Sequence, residues 1–343
     1  MVSSRDRWDI NIPDIRKGGA HMQTQGQWSA VQGAAVMILL RLFPFFCCGT
    51  AFSAAEAKQM ILTAALHAAL ILPLLHFRHR LHIPAMLLRG FRLCAAFEGA
   101  YLTLRLRQLC LQLRLQHTKA LLLMLLVMLL YTVSLHDRAA ARTAMLLLCL
   151  AAFGFLLLPV SGIGTAQRIL LHTPDSAPHF AQDWADACEL PLIPLILQKQ
   201  TESAAKHSAH AWAAFRILFL PAVVLFGTMQ NGRLRRFQGN PFFLLLARTP
   251  LSDAVRTDGF WMLLAFGCGA LCITFCLQTA KPHLHTQRRM LAAAFLPYLF
   301  FLALLLLLPQ AAAVTGLLHL LFGILIPWGI ILHSLLFDRR ESA

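Results

Sequence analysis

The run Met290-Leu-Ala-Ala-Ala-Phe-Leu-Pro-Tyr-Leu-Phe-Phe-Leu-Ala-Leu-Leu-Leu-Leu-Leu308 contains no charged residue, and its one polar group is the hydroxyl of Tyr298. A helix rises ~1.5 Å per residue and needs about 20 mostly apolar residues to cross the ~30 Å hydrocarbon core of a bilayer. This run meets that length. Lipid offers exposed backbone no hydrogen-bond partners, so the segment has to close its own bonds as a helix. Arg288 and Arg289 stand immediately before it, at the level of the headgroups.

Outward from this segment the same reading repeats. Apolar runs cover Ser29–Thr50, Ala57–Phe77, Pro84–Leu111, Lys119–Leu135, Ala139–Val160, Cys188–Gln198, Ala211–Met229, Asp258–Leu277 and Ala312–Phe337. The third is interrupted by Arg89, Arg92, Glu98, Arg105 and Arg107. Together these runs predict an all-α integral membrane protein of about ten transmembrane helices. Residues 1–28 read as a polar lead, 29–337 as a single polytopic membrane domain, and 338–343 as a polar tail.

Composition agrees. Of 343 residues, 58% are hydrophobic and 13% charged, and the mean hydropathy is +0.64. A soluble domain carries about 25% charged residues; here lipid has to cover most of the surface. The net charge of +15 does not point to nucleic acid, because Lys and Arg sit mainly between the apolar runs, where they meet anionic headgroups. Placing both termini in the cytoplasm puts Arg78, Arg80, Arg138, Arg142, Lys206, Lys281, Arg288, Arg289, Arg339 and Arg340 on the inner side, as the positive-inside bias asks. Arg105, Arg107, Arg114, Arg233, Arg235 and Arg236 oppose that orientation.

The nine cysteines show no metal or redox spacing. Cys268, Cys272 and Cys276 form a stripe on one helix face and read as small packing residues. The fifteen histidines are scattered, with no His-Glu-x-x-His pattern. No phosphate-cradling loop and no serine nucleophile elbow are present. The chain therefore reads as a non-enzyme with no metal and no cofactor.

Two prolines mark interruptions at matching places. Pro44 lies in the first run, and Pro191 and Pro194 lie in the short sixth. Five runs follow the first pattern and five the second. Interrupted segments at corresponding places in two halves point to an inverted-repeat transporter and its binding site, since unwound backbone in lipid persists only where protein or ligand satisfies it. The plainer alternative is a pair of harmless proline kinks.

Several elements resemble the spore germination permease family, the membrane-embedded B subunits of Ger-type germinant receptors. These are Gln27-Trp-Ser-Ala-Val-Gln-Gly33 leading to Leu40-Arg41-Leu-Phe-Pro44, then His136-Asp-Arg-Ala-Ala-Ala-Arg142-Thr143. The loop from Leu158 through Pro178 and Phe180 follows, and then Thr249-Pro-Leu-Ser-Asp-Ala-Val-Arg256-Thr-Asp258-Gly-Phe-Trp261. The second element keeps Arg142 but has His136 and Arg138 where the family has Gly and Glu. The family belongs to the amino acid–polyamine–organocation superfamily. The resemblance thus implies a 5+5 inverted repeat of LeuT-like fold with broken first and sixth helices, the repeats covering 29–160 and 188–337.

It further implies a small nutrient ligand, an amino acid before a nucleoside or sugar, and A and C subunits as partners. The location implied is the inner membrane of the spore or the cell membrane of a spore former. An active secondary amino acid transporter on the same fold is the alternative; the first run holds no acidic residue for a coupling ion. A membrane enzyme or export subunit would need paired acids within the membrane, which the apolar runs do not display.

In that fold the ligand residues are Arg41, Pro44, Phe45, Glu98, Tyr101, Glu189 and Pro191, with Arg142, Arg256 and Asp258 as gate or salt-bridge candidates. Arg41 lies mid-run, where a charge costs at least about 2.5–3.5 kcal/mol, so it pairs or faces a cavity rather than snorkelling. Glu98 pairs with Arg41, pairs with Arg105, or touches ligand. Tyr101 sits one turn along from Glu98 and equally suits packing. Glu189 equally suits a helix N-terminus, and Asp258 a cap.

Overall fold

The computed structural model describes residues 27–47, 53–78, 81, 83–115, 117–135, 137–162, 180–231, 240, 242–243, 258–282 and 286–341. Among these the chain is helical, without a strand. The long elements are α1 (Ala30–Phe46), α2 (Ala54–His76), α3 (Ala85–Gln112), α4 (Thr118–Ser134) and α5 (Asp137–Gly162). Two short helices follow, α6 (Phe180–Ala185) and α7 (Ile193–Gln198), separated by non-helical backbone. Helix α8 (Glu202–Ala214) runs through a π-helical turn, Phe215–Phe219, into α9 (Leu220–Asn231). Then come α10 (Asp258–Ala280) and α11 (Gln287–Leu307). The last span begins with a 3-10 turn and is built from α12 (Thr315–Leu320), a second π-helical turn (Leu321–Leu325) and α13 (Ile326–Glu341).

Six helical stretches of the described residues are long and apolar enough to cross a membrane: Ala54–His76, Asp137–Leu156, Glu202–Met229, Gly259–Ala280, Gln287–Leu307 and Ala312–Leu336. The protein is a multi-pass all-α membrane protein. Helices α1 and α4 are apolar but shorter. Exposed Leu263, Leu296, Phe300, Leu307 and Leu317 stud the outer surface, as lipid-facing side chains do.

Helix α1 is apolar all round and buried on every side from Gly33 to Phe46, so it forms the axis of the bundle. Ser29 caps it: its hydroxyl takes the Gln32 N–H at 3.2 Å and the Gln32 side chain returns to the Ser29 N–H at 3.0 Å. The helix runs unbroken through Pro44 and ends at Phe46, so Pro44 does not split it. A proline in the last turn removes one backbone bond where the helix is about to stop.

The seventh run begins at Glu202 rather than at Ala211, because Thr201 accepts the Ala204 N–H and starts the helix early. Trp28 and Gln200 form a parallel bridge, with Trp28 N–H donating to Lys199 O at 2.8 Å. Helices α1 and α8 therefore start side by side in the same direction. Gly33 admits Gln200 here, whose amide would overlap any Cβ at that position.

The same end of the bundle collects further contacts. Arg78 donates to Gln200 O, Lys199 pairs with Asp137, and Gln278 donates to Thr132 O and Leu135 O at 3.1 and 3.2 Å. At the opposite end Asn240 donates to Phe46 O at 2.7 Å and to Gln112 at 3.2 Å. Beside it Phe46, Phe155, Phe242 and Trp261 pack ring against ring.

Candidate functional site

The break between α6 and α7 is the hub of the molecule. Asp183, in α6, and Asp186 and Glu189, in the break, recur every third residue, and each is held by an arginine from a different helix. Asp183 pairs with Arg41 of α1, which also donates from Nη1 to the Asp183 carbonyl at 3.2 Å. Asp186 pairs with Arg105 of α3, whose Nε lies 3.0 Å from Oδ1, and accepts the Tyr101 hydroxyl at 3.1 Å. The Arg105 guanidinium also lies over the Tyr101 ring at 5.4 Å. Glu189 pairs with Arg216 at 3.1 Å and accepts Trp212 Nε1–H at 3.3 Å.

Arg216 sits in the π-helical turn after α8, and its Nη1 donates to His67 Nδ1 of α2 at 2.7 Å. Guanidinium cannot accept, so His67 Nδ1 carries the lone pair and Nε2 carries the proton. The His67 ring meets Trp184 edge to face at 4.3 Å.

Trp184 ties the hub to the last span. Its Nε1 donates to Gly316 O at 2.9 Å, and its own carbonyl lies 3.0 Å from His319 Nδ1. His319 Nε2 in turn faces Glu98 of α3 at 2.9 Å. Glu98, Glu189 and His319 have no solvent exposure at all, and Arg216 has 2%.

Charges this deep persist because they are paired. The desolvation cost of several kcal/mol per ion roughly cancels the attraction, and removing one partner leaves the other buried and uncompensated. Five network atoms nevertheless have no hydrogen-bond partner among the described residues: Arg41 Nε, His67 Nε2, Asp183 Oδ2, Glu189 Oε2 and Glu98 Oε2.

The residues expected from sequence divide as follows. Arg41, Glu98, Tyr101 and Glu189 come together in this network, and Pro191 is buried in the break beside them. Glu98 takes neither of its two expected ion-pair partners; Arg41 and Arg105 go to aspartates, and Glu98 goes to His319. Glu189 is a network acid rather than a helix-terminal charge, since α7 begins only at Ile193. Pro44 and Phe45 lie at the far end of α1, with Phe45 against Phe242 at 5.9 Å. Arg142 is exposed on α5, Asp258 opens α10, and Arg256 lies outside the described residues.

Sequence reasoning assigned no site role to Asp183, Asp186, Arg105, Arg216, His67 or His319. Two signals were available. Acids at every third residue preceded a proline-bearing apolar run, and Arg216 stood alone inside another.

No protein-family model matches the chain, and no curated protein matches it significantly.

Proposed function

We propose that this protein is a permease-like membrane protein that binds a small zwitterionic solute, an amino acid, at the break between α6 and α7. The observation that carries this reading is the set of unpartnered atoms around the break. Arg41 Nε–H and His67 Nε2–H are donors; Asp183 Oδ2 and Glu189 Oε2 are acceptors. Two donors suit a carboxylate and two acceptors suit an ammonium group. Their parent residues are bonded or electrostatic neighbours within one network. Intramembrane ionisable residues of this kind mark solute pathways.

The packing supports a ten-segment, 5+5 reading in which 180–198 is the sixth segment. Contacts recur when each segment is replaced by the one five places along. Helix α1 packs on α5, and α6 packs on α12; α1 packs on α8, and α6 on α2; α3 packs on α11, and α10 on α4. The pair α10 with α5 is matched by α3 with the last span, where Phe91 meets Phe322 at 5.2 Å. Such mirrored contacts are what two inverted halves produce. The break lies in the sixth segment, and its network partner Arg41 lies in the first.

The narrower reading, a germinant receptor B subunit acting with A and C subunits, is supported by the sequence elements alone. Genes for those subunits beside this one, and spores that lose a nutrient response on its deletion, would test it.

The binding reading is tested by thermal unfolding of the purified protein against the amino acids, with nucleosides and sugars alongside. Bound solute raises the transition by mass action. An amino acid that stabilises the wild type, but not Asp183→Asn or His67→Phe, is the expected result. No shift with any amino acid in folded protein would sink the proposal.

A further inference from the structure

His319 Nδ1 lies 3.0 Å from the Trp184 carbonyl. A carbonyl only accepts, so Nδ1 carries the proton. Nε2 of a neutral ring is then a lone pair, and it lies 2.9 Å from Glu98 Oε1, another acceptor. Two acceptors approach this closely only with a proton between them; a metal ion would take the proton's place and hold the same two atoms farther apart.

The surroundings favour the metal ion. The three network arginines are matched by Asp183, Asp186 and Glu189. Glu98 is a fourth acid, and among the described residues its ion-pair partner is His319 alone. Cys188, fully buried in the break, adds a third donor: the ligand atoms of Glu98, Cys188 and His319 all lie within 4.8 Å of one another. A shared proton satisfies Nε2 and Oε1 alone, whereas an ion held by both carboxylate oxygens would also take up the buried Oε2 of Glu98, which has no hydrogen-bond partner among the described residues. A divalent ion bound by one carboxylate and one thiolate sums to zero charge, which suits a site with no solvent exposure.

We infer that Glu98, Cys188 and His319 form a divalent transition-metal site of the zinc class, joining α3, the break and α12. Imidazole nitrogen, carboxylate oxygen and thiolate sulfur are each zinc ligands. The His319 Nδ1–H donating to a backbone carbonyl is the support that metal-bound imidazoles use to fix their tautomer. The carbonyl is itself fixed, because the Trp184 indole is pinned to Gly316. Tetrahedral bonds of about 2.0–2.1 Å would set the nitrogen and oxygen about 3.4 Å apart, so the pair opens by roughly half an ångström. Binding releases two protons, the Cys188 thiol proton and the one shared between His319 Nε2 and Glu98 Oε1, and frees the imidazole and carboxylate lone pairs for the ion.

The test uses full-length protein purified in detergent through a tag without histidine, stripped with chelator and then reloaded. Zinc loading, measured by elemental analysis, should give one tightly held ion per chain more than Cys188→Ala or His319→Gln retains. Cobalt loading should give a thiolate-to-metal absorption band that Cys188→Ala abolishes. Zinc content equal in the wild type and both folded variants, or no thiolate–cobalt band in the wild type, would overturn the site and leave a proton between Glu98 and His319. Should Cys188→Ala fail to fold, the wild-type cobalt band and the His319→Gln zinc content decide. No amino acid enters this measurement, so it fails or succeeds separately from the solute-binding proposal.

Discussion

Arg41 and Asp183 stand 142 residues apart in the chain and form one buried ion pair. The pair joins the axial helix α1 to the start of the break. Arg105 with Asp186 and Arg216 with Glu189 repeat the arrangement on two other helices. The acids of one short segment thus hold three helices in register, and the break is held open by its own neighbours.

Arg41→Ala leaves Asp183 buried without its partner and should cost about 3–5 kcal/mol. The double variant Arg41→Ala/Asp183→Ala should lose far less than the sum of the single losses. Unfolding in micelles around a double-mutant cycle measures the coupling; additive losses would show that the pair does not interact. By contrast, Lys206→Ala removes only an exposed pair with Glu202 and should change stability by no more than about 0.5 kcal/mol.

Gly323 lies against the break. A Cβ there would stand 2.9 Å from Leu190 Cβ and 3.0 Å from its carbonyl carbon. Backbone yields poorly, so Gly323→Ala should destabilise by about 1–3 kcal/mol. Gly329→Ala, whose added carbon meets nothing within 4 Å, should be neutral or stabilising by up to about 1 kcal/mol. Equal effects of the two in thermal unfolding would refute the close approach at the break.

Tyr298 meets Thr103 through a buried hydroxyl pair at 2.9 Å, linking α11 to α3. Tyr298→Phe should cost about 0.5–1.5 kcal/mol and leave solute binding intact, because neither hydroxyl belongs to the charge network. A loss of binding with unchanged stability would place Tyr298 in the site instead.

Asp137, Lys199, Gln200 and Gln278 gather at the end of the bundle where α1 begins. Arg78, Arg138 and Lys281 are at that end too. The positive-inside bias predicts that this end is cytoplasmic. A fluorescent-protein fusion at the C-terminus should be bright and an alkaline phosphatase fusion inactive. The reverse pattern would invert the orientation.

Much of this architecture could be read along the chain. Apolar length located the six helical stretches long enough to cross a membrane, since bilayer thickness fixes how many residues a crossing needs. The runs at Lys119–Leu135 and Asp258–Leu277 became α4 and α10 within a few residues. Arg41 could be marked as paired or functional because a lone charge in a long apolar run is too costly to be incidental. The prolines at 191 and 194 located the break.

What the sequence could not determine is who pairs with whom. Arg105 on the same helix and Arg41 on the first were the expected partners of Glu98, yet the fold gives both to aspartates and brings His319 to Glu98 from 221 residues away. The cysteine stripe on α10 drew the eye, while Cys188, alone in the break, is the one that meets a histidine and an acid. Local sequence sets apolar length, capping and helix breaks, because those depend on neighbours within a turn or two. Partner choice among buried charges depends on which helices pack side by side, and only the tertiary structure decides that.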